Sequence, residues 1–173
     1  MTPEMIPVLS REQIQKKVFA LAARISEDYH AKDVVVVGIL KGAFIFLADL
    51  VRALTIPVQI GFVRLASYGS HTSSSGTIRI TKDLELDIHG RHVLIVEDII
   101  DSGLTIAYLL DHLKHRGPES IRVCAFIDKG ERREVQVPVD YAGHVVHEGF
   151  LVGYGLDYNE QFRGLPEIYH LKL

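Results

Sequence analysis

A single cysteine, no secretory leader and a net charge of only −3 over 173 residues narrow the possibilities at once. Cys124 has no partner for an intramolecular disulfide, which fits a reducing compartment. Its place inside the apolar run 121–127 favours a small core hydrophobe over a catalytic thiol. The slight acidity gives no reason to expect nucleic-acid or membrane-surface binding. Met1-Thr2-Pro3-Glu4 lacks the basic start and apolar core of a signal peptide, so the cytoplasm is the expected location. The apolar stretch 34–51 invites a membrane reading, but Lys41, Gly42 and Asp49 interrupt it. A strand followed by a buried helix explains it better. Internal repeats and heptad runs are absent, and Ser73-Ser74-Ser75 comes nearest to low complexity. The length predicts one domain, 1–173, with a core that needs neither disulfide nor structural metal.

What the sequence does contain is buried strands alternating with amphipathic helices. Ser10 opens a helix with a capping box to Gln13, and Leu9 and Ile14 occupy the places of a hydrophobic staple. Ile14, Val18, Leu21, Ala22 and Ile25 then form one apolar stripe. Strands are expected at 34–38, 93–96 and 121–127, with further extended segments at 58–65, 77–86 and within 135–146. The eleven residues 66–76 between two of these are rich in serine and glycine. A structureless loop of that length reads either as a polar linker or as a lid.

The densest chemistry lies at 93–105. Four branched apolar residues, 93–96, suit a strand covered on both faces of a parallel sheet. Glu97, Asp98 and Asp101 follow, then Ser102, Gly103, Leu104 and Thr105. A helix begins there, because Ile106, Leu109, Leu110 and Leu113 repeat at helical spacing until Gly117-Pro118 stops it. A strand, a short loop and a helix N-terminus bind phosphate through backbone N–H groups and the helix dipole. Carboxylates repel phosphate, so the combination suits a sugar phosphate. The loop would hold the phosphate while Glu97 and Asp98 face ribose hydroxyls or a magnesium ion. Open parallel sheets place their ligands at this edge, which weighs against a merely solvated acidic loop.

The run Glu-Asp-Ile-Ile-Asp-Ser-Gly-Leu-Thr (97–105) resembles the phosphoribosyl pyrophosphate (PRPP) motif of the type I phosphoribosyltransferases. From about Val35 to Leu171 the chain is similar to the bacterial-type hypoxanthine-guanine branch of that family. The resemblance implies an α/β fold: a mostly parallel twisted sheet flanked by helices, with a small hood from the N- and C-terminal segments and a flexible lid. It implies transfer of phosphoribose from PRPP to a 6-oxopurine, with Mg2+ as cofactor and a homodimer or homotetramer as the assembly. Asp101 becomes the general base. Glu97, Asp98, Ser102, Gly103, Leu104 and Thr105 become the PRPP and phosphate loop, though Leu104 stands where some relatives carry lysine.

The resemblance extends to three more motifs. Leu40-Lys41-Gly42 matches a pyrophosphate loop with a non-proline cis peptide before the lysine, although Lys41 alone would read as a surface residue. Lys129, again an ordinary surface lysine by itself, becomes the donor to the purine 6-oxo group. In the segment 150–163, Phe150 is implied to stack on the purine and Leu151 to offer its backbone to the base edge. Asp157 is implied to contact purine or magnesium, and Arg163 pyrophosphate. Metal contacts would thus come from Glu97, Asp98 and Asp157, and the lid from Ser67 and Tyr68. Leu151 does not decide among guanine, hypoxanthine and xanthine. Two rivals, a PRPP-sensing regulator of the same fold and a phosphoacceptor domain, fit less well. The first leaves Asp101, Lys129 and Phe150 without purpose, and the second gives Ser-Gly-Leu-Thr no role.

Overall fold

A computed structural model describes residues 3–68 and 77–172. In chain order the elements are β1 (Glu4–Leu9), α1 (Arg11–Asp28), β2 (Val34–Leu40), α2 (Phe44–Ala53), β3 (Gln59–Tyr68), β4 (Thr77–Lys82), β5 (His92–Ile100), α3 (Leu104–Lys114), β6 (Ser120–Lys129), β7 (Tyr141–Val146), β8 (Leu151–Val152) and β9 (Ile168–Lys172). Six strands form one sheet in the order β4-β3-β2-β5-β6-β7, and three form a second in the order β1-β9-β8. Within the larger sheet only the β3–β4 pairing is antiparallel. The small antiparallel sheet joins both ends of the chain, as expected of the hood.

Period-two alternation explains how runs of branched residues can be buried completely. Val34 and Val36 of β2, Leu94 and Val96 of β5, and Cys124 and Phe126 of β6 face one core, packed by Ile14, Val18, Leu21 and Ile25 of α1 and Phe46, Leu47 and Leu50 of α2. Val35, Val37, Val93, Ile95, Val123 and Ala125 face the opposite core, closed by Ile106, Leu109, Leu110 and Leu113 of α3. Each branched side chain taken fully from water contributes about 1.5–3 kcal/mol. Both faces are therefore strongly held, and the sheet edge is rigid where its strands end. Burial also pushes the Cys124 thiol far above its ordinary range, as suits core filler.

The capping box is present: Ser10 N donates to Gln13 Oε1 at 2.9 Å and Gln13 N donates to Ser10 Oγ at 3.2 Å. Leu9 and Ile14 are both buried in the core beside α1. Several boundaries differ from expectation: β2 runs on to Leu40, β6 spans Ser120–Lys129, and the segment expected at 77–86 is a strand only to Lys82. β5 continues through Glu97 and Asp98 to Ile100, because β6 pairs it as far as Ile100↔Asp128, so those two acids are strand residues. The strand expected within 135–146 occupies only Tyr141–Val146. β3 runs on through Ala66, Ser67 and Tyr68, which pair with β4. The rest of the expected lid, 69–76, lies outside the described residues.

Candidate active site

β2, β5 and β6 are neighbours and run parallel, so their C-terminal ends share one edge. Lys41 follows β2, Asp101 follows β5, and Lys129 ends β6. These residues are far apart in sequence, and the strand order sets them along one sheet edge.

Two cavities open at this edge. One, of about 180 Å³, is lined by Asp98, Asp101, Lys129, Phe150, Leu151 and Asp157, among others. The second, of about 360 Å³, lies at the start of α3 and includes Ser67, Asp101, Ser102, Leu104 and Thr105. Asp101 and Arg132 line both. A larger cavity, of about 580 Å³, lies between α1 and α2 and reaches Tyr154 and Pro166. Its acidic group, Asp49, is already paired with Arg52 at 2.5 Å and accepts from Tyr154 Oη at 2.6 Å. The two smaller cavities hold the reactive groups.

In the first cavity Lys129 is only 4% exposed, and its ammonium lies 3.5 Å from Asp101 Oδ2 and 3.1 Å from Glu131. Asp101 Oδ1 is buried with no hydrogen-bond partner among the described residues. A buried carboxylate oxygen without a partner is costly, and a ligand proton would satisfy it. Phe150 meets the ring of Tyr158 edge-on, with centroids 5.6 Å apart, which fixes its face. Leu151 is held by β8, whose pairing with β9 sets Leu151 opposite His170.

The second cavity is built on the turn into α3. Gly103 is the N-cap, at φ 85°, a conformation that favours glycine. A Cβ there would also collide with the Val135 carbonyl. Ser102 Oγ accepts from Leu104 N at 3.3 Å, and Leu104 and Thr105 line the cavity at the positive end of α3.

The acidic pair divides. Asp98 lines the first cavity, whereas Glu97 is buried and is not among the residues lining either cavity. Burial, followed by the charge of Asp98, pushes the Glu97 carboxyl well above its ordinary range, and burial raises Asp98 as well. The two acids are in contact, since Asp98 N donates to Glu97 Oε1 at 3.0 Å. Asp98 packs against Gly42, where any Cβ would overlap its carboxylate, and a Cβ on Gly155 would meet the Gly42 carbonyl. That close approach joins the 40–43 turn to the 153–157 segment.

The expected cis peptide is present between Leu40 and Lys41. Lys41 does not reach the cavities in this arrangement. Its ammonium is 2.8 Å from Glu160, which also lies 3.2 Å from Arg163. Arg163 is further bound to Asp157 at 3.2 Å and donates to the Gly155 carbonyl at 2.7 Å. Lys41, and then Arg163, hold the Glu160 carboxyl below its usual range. Tyr68 is exposed, with the Arg79 guanidinium 5.8 Å from its ring centroid. Sequence reasoning missed Glu160, Arg132 and Arg133, since charged residues in loops carry no periodic signal.

The model of the phosphoribosyl transferase domain matches residues 8–159. The chain belongs to that family. It is 49% identical over 163 residues to the hypoxanthine-guanine phosphoribosyltransferase of Aquifex aeolicus, covering 94% of this chain and 92% of that one. The enzyme of the same name from Bacillus subtilis is 42% identical, with 95% and 92% covered. Among solved structures, a hypoxanthine-guanine phosphoribosyltransferase from Bacillus anthracis superposes with a TM-score of 0.93 at 40% identity, covering 98% of this phosphoribosyltransferase and 100% of its counterpart.

Proposed function

We infer that this protein is a purine salvage transferase that moves 5-phosphoribosyl from PRPP to N9 of hypoxanthine or guanine, giving the nucleoside monophosphate and pyrophosphate. The observation that carries this reading is Asp101 Oδ1, buried without a hydrogen-bond partner among the described residues, on a side chain that lines both cavities beside Lys129.

In the reaction the bond from the anomeric carbon to pyrophosphate breaks and a bond to N9 forms. The base proton must leave. Asp101 lines both cavities, and its Oδ1, without a hydrogen-bond partner among the described residues, would accept that proton, or bond N7 and enrich the ring in electrons. Lys129 is donor-only, which suits a 6-oxo group and leaves a 6-amino group badly paired. Phe150 offers a flat face to a flat ring, and the start of α3 with Ser102 and Thr105 receives the 5′-phosphate. Ser67 lines the phosphate-side cavity at the end of β3, where a closing lid would exclude water.

Magnesium fits here through few protein ligands. Among the described residues no cluster of three or more His, Cys, Asp or Glu is placed to hold a metal. Magnesium keeps several waters and commonly takes one or two carboxylates plus substrate phosphates. Asp98 and Asp157, which share the base-side cavity, would hold it, with Glu97 behind Asp98. When bound, the ion offsets the charge of pyrophosphate as it departs.

Lys41 and Arg163 are the cations for pyrophosphate, and Glu160 now bridges them. Replacing Glu160→Gln is expected to tighten inhibition by pyrophosphate about two- to fivefold, the range of an exposed ion pair. An unchanged inhibition constant would remove Lys41 and Arg163 from this role.

We further propose that residues 1–173 act as one catalytic domain in the cytoplasm, as a homodimer or homotetramer. Among the described residues no helix is long and apolar enough to cross a membrane. The test of the activity is direct: purified protein with PRPP and Mg2+ is offered hypoxanthine, guanine, xanthine and adenine in turn, and pyrophosphate is measured. Release with hypoxanthine or guanine is expected; release with none of the 6-oxopurines would return the regulatory reading.

A further inference from the structure

We propose that Arg132 is the side chain that binds the 5′-phosphate, a role that rests on the transferase reading and deepens it. Among the described residues, the cavity at the start of α3 carries two carboxylates, Asp101 and Glu134, and Arg132 is the only cation that lines it. A phosphate dianion entering there meets negative charge that the dipole of one helix does not cancel, since a helix end carries only about half a charge. Leu104, at the first position of α3, contributes an apolar surface where a donor would help. The arginine supplies what the turn lacks: a permanent charge and a planar donor fork matched to phosphate oxygens.

The segment just after Arg132 is fixed to the turn into α3. The neighbouring Arg133 guanidinium donates to the carbonyls of Asp101 at 2.9 Å, Lys129 at 3.1 Å and Ile100 at 3.3 Å, and pairs with Asp128 at 2.5 Å. Glu134 N and Val135 N both donate to the Ser102 carbonyl, at 2.9 and 3.1 Å. The segment that follows Arg132 is therefore anchored, while the Arg132 side chain itself is exposed. Lys41, Lys129, Arg133 and Arg163 all have carboxylate partners within 4 Å, whereas Arg132 has no ion pair among the described residues. An arginine left unpaired in an acidic basin, on a rigid turn, at the joint of the base and phosphate cavities, is positioned to close on the nucleotide from the phosphate side.

The test compares calorimetric affinities for inosine 5′-monophosphate and inosine in the parent protein, Arg132→Gln and the double variant Arg132→Gln with Leu104→Lys. Loss of a charge-assisted phosphate contact should reduce the preference for nucleotide over nucleoside about tenfold or more in Arg132→Gln, leaving inosine affinity unchanged. The double variant returns a cation to the same cavity and should restore most of that preference. The Michaelis constant for PRPP should rise in parallel, with turnover changed far less. A preference retained in Arg132→Gln overturns the proposal, as does an equal loss for nucleotide and nucleoside, which would mark a residue serving the base or the fold. A parent protein that does not prefer the nucleotide removes the transferase reading itself, and this role with it.

Discussion

Asp101→Asn is expected to lower turnover by about two to four orders of magnitude, the usual contribution of a general base, while PRPP affinity changes by about threefold or less. Asparagine keeps the size and the turn geometry of aspartate but cannot take up a proton near neutral pH. The exchange matters because of where the carboxylate stands. One oxygen faces Lys129 at 3.5 Å, and the other is buried without a partner among the described residues. The Asp101 carbonyl is separately held by Arg133, so the main chain should stay in place when the side chain changes. Steady-state kinetics with a direct PRPP binding measurement decides the matter. Equal losses in turnover and affinity would make Asp101 a binding residue only.

The second large effect concerns the choice of base. Lys129→Gln is expected to reduce kcat/KM for hypoxanthine by about 10- to 100-fold, the worth of a hydrogen bond to a charged group. It should also shrink the margin by which hypoxanthine is preferred to adenine. An ammonium can only donate, so it serves a carbonyl and rejects an amine, whereas a glutamine amide offers both functions. A site built around one buried donor discriminates strongly because the wrong ligand leaves that donor unpaired. Lys129 is nearly inaccessible and lies between Asp101 and Glu131, so water compensates poorly for a mismatch. Parallel loss of both bases, with the margin unchanged, would assign Lys129 to holding Asp101 rather than reading the purine.

The parts of this chain that obey a period were readable from residues. Residues 34–37 and 93–96 announced strands buried on both faces, and the stripe from Ile14 to Ile25 announced a helix; all three are as expected. The Ser10–Gln13 cap was equally plain, because its spacing is its mechanism. Legibility fails where polar residues continue a strand. Glu97 and Asp98 look like loop, yet pairing with β6 keeps them extended, since a neighbouring strand overrides local preference. Ala66, Ser67 and Tyr68 were lost to the lid for the same reason. In the site, resemblance supplied the roles of Lys41, Lys129, Phe150 and Arg163, which composition alone would have left on the surface. The bonds from Arg133 to the carbonyls of Ile100, Asp101 and Lys129 were invisible, because main-chain acceptors leave no mark in a sequence.

The three-stranded hood has a consequence for synthesis. Its middle strand is β9, the last element to emerge, and β8, which carries Leu151, has β9 as its only partner in that sheet. Chains fold vectorially from the N-terminus as they leave the ribosome. A chain that has not yet paired β9 thus leaves β8 without its partner in that sheet, and with it one wall of the cavity at Phe150 and Leu151.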